Sequence, residues 1–426
     1  TARPSLIRVR TQIGYGCAKQ GTAGVHGSPL GAECLADTKE NLGWPAEPDF
    51  HVPDAVYAHT KKIQEKGEKT RREWDRLFAA YKEEYPELTA EWEQWHRDEL
   101  PVDLENDESF WQFDEGKMAT RASSGIVLNR MAERVPNLIG GSADLAPSNN
   151  SVMKSREYFS PEERTGSNIH FGVREHAMAA IGNGMALHGG LKPYVATFFV
   201  FSDYMKPAMR MSALMKLPLV YILTHDSIAV GEDGPTHEPV EQLASLRSIP
   251  NFTVFRPADS REAAAGWYAA MARRTSPTGL VLTRQALPLL PGSGKDALRG
   301  GYVLRDGGET PDIVLMASGS EVALVMEAAE ALARRGVNAR VVSMPSFELF
   351  EEQDAAYRES VLPGQVRVRL AVEAASPFGW HQYVGLDGAV ISMNGFGASA
   401  PGEELFTRFG FTPENVVDKA LELLKR

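Results

Sequence analysis

The chain has 426 residues, 43% hydrophobic and 24% charged, with a formal net charge of −11. Such length suits about three domains of ~150 residues, and the acidic balance gives no general attraction for nucleic acid or an anionic membrane, so neither is expected as a partner and an anionic substrate must be held by a local positive cluster. Cys17 and Cys34 make no disulfide framework and have no metal-ligand spacing, no apolar run approaches the ~18 residues of a membrane span, and no signal-peptide pattern is seen, which points to the cytoplasm.

From the start of the chain, Ser5 to Ile13 alternates apolar and polar residues and predicts a strand ending in the turn Gly14-Tyr15-Gly16. This strand-like opening without methionine fits either processing or missing upstream sequence. The loop His26-Gly27-Ser28-Pro29-Leu30-Gly31 follows. Its small residues let a ligand approach His26, although a solvated loop histidine is the plain alternative. Leu35 to Leu42 reads as a short helix stopped by Gly43 and Pro45. Pro53 to Tyr85 reads as a long helix with Ile63, Trp74, Leu77, Phe78 and Tyr81 at helical spacing and a solvated charged face. Trp92, Trp95, Trp111 and Phe113 are expected to anchor a linker. The acidic stretch Pro101 to Glu115 marks a domain boundary.

Strands and helices then alternate. Helices are predicted over Met118–Val135, Val240–Arg247 and Ser260–Arg274, and a further one runs from the Phe199 region to Leu214. Strands are predicted over Leu138–Gly141, Ile169–Val173, Tyr194–Phe199, Leu217–Thr224, Thr253–Phe255 and Gly279–Thr283. The pattern is a doubly wound α/β domain, which binds ligands at the carboxyl ends of its strands. Polar and ionisable residues follow those strands: Asp144 and Ser148; Glu175; His225-Asp226-Ser227; Gly231 to His237, with Asp233; and Arg284, with Arg121 early in the first helix. Each has an ordinary reading as a cap, turn or surface ion pair. Phe198, Phe201 and Tyr204 read by themselves as core. Their gathering behind the strands of one domain favours a site. Glu175 opens a small-residue helix, with Met178, Ala179, Ile181, Gly182 and Met185, that is apolar on nearly all sides and so expected to be buried. A carboxylate there would be partly desolvated, with a raised pKa, and able to pass a proton; satisfying the helix N-terminus is the plain reading.

The last part predicts a second, smaller α/β domain. Its strands are Asp312–Ala317, Ala339–Met344, Arg369–Glu373 and Ala389–Met393, and its helix is Ser320–Arg335. Ser318-Gly319-Ser320 could hold an anion at a helix N-terminus, with a simple N-cap the plainer reading.

Several stretches, in order, resemble transketolase, a thiamine-diphosphate enzyme family. They are His26-Gly27-Ser28-Pro29-Leu30-Gly31, Gly140-Gly141-Ser142-Ala143-Asp144-Leu145, Phe171-Gly172-Val173-Arg174-Glu175, Thr224-His225-Asp226-Ser227 and Gly231 to His237. The resemblance implies a pyrimidine-binding domain over 113–292, a C-terminal domain over 300–426, and a remnant of the diphosphate-binding domain with a linker over 1–112. It implies that Glu175 pairs with the aminopyrimidine ring nitrogen. Phe198, Phe201 and Tyr204 would wall that ring, and Ile13, Asp144 and Leu145 would lie near the cofactor. His26 and His237 would bond substrate oxygens and move protons. Asp233 would read a hydroxyl, and Arg121, Ser148, His225 and Arg284 would clamp the substrate phosphate. The reaction would move a two-carbon ketol unit between sugar phosphates in the pentose phosphate pathway, in a homodimer whose sites lie between subunits.

The family holds Mg²⁺ or Ca²⁺ and the diphosphate with a Gly-Asp-Gly, which this sequence lacks. No metal ligand is assigned to its own residues. The expectation is therefore a truncated chain that lacks most of the diphosphate-binding domain and part of its site, and is inactive. Competing readings are a deoxyxylulose-phosphate synthase, a dehydrogenase E1 β chain, or the non-catalytic subunit of a split enzyme.

Overall fold

The structure is a computed structural model that describes residues 5–97, 99–100, 102–308 and 310–425. Pro101, the first residue of the expected boundary, lies outside them. The chain divides into two compact units, one ending at Thr89 and the other beginning at Ala90.

In the first unit, α1 (Ala32–Asn41) and α2 (Asp54–Glu84) are the regular elements. Helix α2 buries none of its residues. Its apolar side chains stack along the helix instead, with the Trp74 and Phe78 rings 4.9 Å apart and nearly parallel. The charged face carries i,i+4 pairs such as Arg71–Asp75 at 2.8 Å. The strand expected over Ser5–Ile13 does not form, and Leu6 is 96% exposed. Among the described residues no strand pairs with this segment, and alternation alone cannot hold a lone strand together.

The second unit contains two large sheets. The first has six strands: β1 (Leu138–Ser142), β2 (Asn168–His170), β3 (Lys192–Phe198), β4 (Val220–Thr224), β5 (Thr253–Phe255) and β6 (Thr278–Leu282). Their spatial order is β2-β1-β3-β4-β6-β5, and all pairs are parallel. Every carboxyl end therefore lies along one edge. Gly140 and Gly141 let β1 sit tightly between its neighbours. A Cβ on Gly141 would stand 1.9 Å from the Ile169 carbonyl oxygen, and one on Gly140 2.1 Å from that of Tyr194.

Four helices cover this sheet: α3 (Thr120–Arg134), α4 (Glu175–His188), α5 (Ser202–Leu214) and α6 (Ser260–Ala272). One face carries α3 and α6, with Trp267 and Tyr194 in its core. The other carries α4 and α5, with Phe199 and Tyr221. The segment before α3 closes the first face. Phe110 and Trp111 are buried, and Trp111 donates to the Leu104 carbonyl at 2.9 Å. Phe113 lies under Arg130. Trp92, expected as an anchor too, stacks on His96 and stays largely exposed.

The second sheet has β7 (Tyr302–Arg305), β8 (Ile313–Ala317), β9 (Ala339–Ser343), β10 (Arg369–Val372) and β11 (Ala389–Ile391), in the order β11-β10-β8-β9-β7. Only β7 runs antiparallel among these pairs. Helix α7 (Glu321–Ala333) packs on one side of it.

Helix α4 is not buried on all sides, as its composition suggested. Met178, Ala179, Gly182 and Asn183 face the sheet and α5, while Val173, Ile181 and Leu187 stay exposed at 75%, 47% and 66%. A sheet covers only one side of a helix, so the apolar outer face needs another cover.

Candidate active site at the carboxyl edge of the first sheet

Five strand ends and the start of α3 build the site. Thr120 opens α3 and Thr283 follows β6. The Thr120 amide donates to Thr283 Oγ1 at 3.0 Å, and the Thr283 amide donates to Thr120 Oγ1 at 2.7 Å. This reciprocal pair brings Arg121 beside Arg284.

Arg121 reaches the ends of two further strands. Its Nη1 donates to the Ser148 carbonyl at 2.8 Å, beyond β1, and lies 3.2 Å from His225 Nε2, directly beyond β4. Burial, and then the Arg284 charge, lower the Arg121 pKa. Among the described residues no carboxylate raises the Arg121 pKa in return. A guanidinium without an acid, in the field of a second one, forms a ready anion site.

His225 is buried and has a left-handed backbone, with φ of 65°. Burial first, and then Arg121, Arg284 and His237, push its pKa down to about 3. The ring is therefore neutral. Its tautomer follows from its neighbours: Thr224 Oγ1 donates to Asn149 Oδ1 at 2.6 Å and lies 2.8 Å from His225 Nδ1. With its proton committed to Asn149, the hydroxyl can only accept from Nδ1–H. That leaves Nε2 bare to accept from Arg121. Asn149 is itself fixed by Ser142 Oγ at 3.0 Å.

Aromatic rings border this cluster. Phe198 lies 3.7 Å from the His225 ring, centroid to centroid. Phe198 and Phe201 are parallel within 6° at 5.9 Å, and Tyr204 follows Phe201 at 6.0 Å. His237 meets Phe201 edge-on at 5.5 Å. None of the three aromatics is fully buried; the core ring of this stretch is Phe199.

Glu175 starts α4, beyond β2, and is half-buried. Asp144 follows β1 with a left-handed φ of 62°, and Leu145 beside it is half-buried. Asp233 is exposed on the loop that carries His237. The structure thus joins Arg121, Ser148, His225, His237, Phe198, Phe201 and Tyr204 through contacts, brings the Arg284 charge to bear on Arg121 and His225, and places Asp144, Leu145 and Glu175 on the same sheet edge. His26 and Ile13 belong to the first unit: His26 follows the short 3-10 turn Ala23–Val25, and Ile13 is exposed. Sequence reasoning missed Asn149 and Ser142. The only signals were their places within one residue of Ser148 and inside the stretch Gly140 to Leu145.

The aromatic wall suits a flat heterocycle such as the pyrimidine of thiamine diphosphate. Among the described residues no group of three His, Cys, Asp or Glu is placed to hold a metal ion.

Comparison with known proteins bears on the family. Residues 1–101 match the family described as transketolase, thiamine diphosphate binding domain; 116–289 match transketolase, pyrimidine binding domain; and 300–412 match the transketolase-like TK C-terminal domain. Over nearly its whole length, the chain is similar to transketolases. It is 51% identical to the transketolase of Halalkalibacterium halodurans over 99% of this chain and 64% of that protein. It is 50% identical to that of Bacillus subtilis, over 100% of this chain and 64% of that one. A crystal structure of Pichia stipitis transketolase in complex with sedoheptulose 7-phosphate superposes with a TM-score of 0.90 at 41% identity, covering 99% of this chain and 63% of that one. The chain thus spans about 64% of the length of the first two relatives.

These matches correct the expectation for the first segment. The diphosphate-binding family covers residues 1–101, so the first segment is not a mere tail or remnant of that domain. The matches give no support to the readings of a missing active-site part and of an inactive chain. One absent short motif, the Gly-Asp-Gly, is a weaker signal than a match sustained over a whole segment.

Proposed function

We propose that this chain belongs to the transketolase family and transfers a two-carbon ketol unit from a ketose phosphate to an aldose phosphate, using thiamine diphosphate with Mg²⁺ or Ca²⁺. The observation that carries this reading is Arg121, without an acid partner and in the field of Arg284, bonded to the neutral His225 directly beside the Phe198–Phe201 wall. An anion clamp next to an aromatic slot is what a sugar phosphate and a flat cofactor ring need from one protein surface.

Bound thiamine diphosphate supplies the nucleophilic carbon and electron sink that permit cleavage of a bond next to a carbonyl. The chain's residues position and protonate. Glu175 would share a proton with a pyrimidine nitrogen, and Phe198, Phe201 and Tyr204 would wall that ring by stacking. Asp144, Leu145 and Ile13 support the cofactor. Arg121, Ser148, His225 and Arg284 hold the phosphate, and Asp233 accepts a hydrogen bond from a substrate hydroxyl. His237 and His26 move protons at the substrate oxygens. No residue is assigned to the metal ion, and no step is routed through it.

We also propose domain limits at 113–292 and 300–426, with 1–112 preceding them, and a homodimer that covers the open face of α4. A cytoplasmic location accords with the free thiols of Cys17 and Cys34; among the described residues no helix is long and apolar enough to cross a membrane.

The deciding assay incubates the chain with thiamine diphosphate, Mg²⁺ and xylulose 5-phosphate plus ribose 5-phosphate. Appearance of a seven-carbon ketose phosphate is expected. Turnover of pyruvate in its place, or no transfer between the sugar phosphates, would defeat the proposal.

A further inference from the structure

The residue after His225 leads out of the site and into the last domain. Asp226 is buried, and the buried Arg256, just beyond β5, donates to its Oδ2 through Nε at 2.9 Å, with Nη2 2.8 Å from the same oxygen. The other end of that guanidinium enters the second sheet. Nη1 donates to the Ser318 carbonyl at 2.8 Å, beyond β8, and to Glu321 Oε2 at 2.5 Å, the first residue of α7. Glu373, beyond β10, lies 4.0 Å from Nη1 and accepts from Ser318 Oγ, Arg247 and Trp380 Nε1. Glu321 Oε2 also accepts from the Ala374 amide at 3.0 Å.

The carboxyl edge of a parallel sheet is where α/β domains ordinarily bind a ligand. In the second sheet that edge is filled by an arginine of the first. Gly319 is shaped for it: with φ of 58°, it has no Cβ, and one would stand 2.6 Å from Arg256 Cζ. The Ser318-Gly319-Ser320 turn therefore neither holds an external anion nor caps α7, since Ser320 makes no capping bond. It seats a guanidinium from within the chain.

We infer that the C-terminal domain is a positioning element for substrate-phosphate recognition, acting through Glu321, Glu373 and Ser318 on Arg256, and through Arg256 on the Asp226–His225 corner. The inference rests on the phosphate clamp proposed above. His225 must keep a left-handed backbone to present Nε2 to Arg121, and Asp226 is the adjacent anchor that holds the corner. An arginine gripped from both ends transmits the grip, because its planar fork fixes direction as well as charge.

The test measures binding of ribose 5-phosphate and of ribose to the full chain by calorimetry, for the wild type, Glu321→Gln and Arg256→Lys. Wild type should prefer the phosphorylated sugar. Each variant should lose about tenfold in affinity for ribose 5-phosphate, the size of an ordinary coupling between sites, with ribose unchanged. Equal losses for both sugars, or no loss for either, would overturn the inference. Should these variants fail to fold, Ser318→Ala keeps every charge and must still weaken ribose 5-phosphate selectively; if it leaves both affinities intact, the coupling is absent. A wild type without phosphate preference would instead defeat the clamp itself, and the inference with it.

Discussion

His225 takes its chemistry from three neighbours rather than from its own ring. Thr224 and Asn149 set which nitrogen carries the proton, and Arg121 takes the other nitrogen. Nitrogen NMR of the wild type should show a neutral ring protonated at Nδ1 that does not titrate between pH 8 and 5. The sign for stability follows. The unfolded histidine takes up a proton near pH ~6.5, while the folded ring, its pKa pushed down to about 3, does not. The stability tied to its neutral form is thus whole above pH ~6.5 and drains as pH falls towards 3. In Thr224→Val the buried Asn149 Oδ1 loses its donor, at a cost of about 1–3 kcal/mol. The ring also loses its tautomer lock, so affinity for inorganic phosphate should fall several-fold. A ring that titrates near its ordinary value, or a Thr224→Val protein with wild-type phosphate affinity, contradicts this account.

Among the elements, α2 offers the simplest test. Gly67 lies in its interior, exposed, with nothing within 4 Å of a built Cβ. Gly67→Ala should therefore stabilise α2 by up to about 1 kcal/mol, seen as slower amide exchange across Asp54–Glu84 with enzyme activity unchanged. Gly141→Ala should do the reverse and prevent folding of the first sheet, because its methyl meets strand backbone that cannot move aside. Element positions were largely legible: Thr253–Phe255 forms as the sequence indicates, and α3 starts two residues later than the expected Met118. Continuous apolar runs and helical spacing are local signals, readable without knowing the fold. Strand β7 was not legible, because a short antiparallel edge strand has no strong pattern of its own. The strand expected over Ser5–Ile13 failed for the opposite reason, having a pattern but no partner. The phosphate-clamp residues stood in short contiguous motifs and could be named. Arg256 could not, since it acts across 65 positions to Glu321, and nothing local marks such a reach.

For the whole molecule, the open face of α4 is the feature to explain. Val173, Ile181 and Leu187 are exposed there, and the neighbouring α5 exposes Tyr204, Met211 and Leu214. A monomer pays about 1.5–3 kcal/mol for each large side chain left in water that a partner could bury. Both helices begin at the candidate site: Glu175 is the first residue of α4, and Tyr204 lies in the first turn of α5. A second copy seated on this face would therefore also close the site over Glu175. In a two-fold contact each substitution counts twice, and like charges would face one another across the axis. Ile181→Glu with Leu187→Glu should thus convert a dimer into a folded monomer in sedimentation velocity. Its far-UV circular dichroism should be unchanged, because neither side chain is part of the core. Ketol transfer should drop by at least about a hundredfold, as expected when a general acid–base group is left in open water. A dimer that survives both charges, or a monomer with full activity, would show that α4 faces solvent in the working protein.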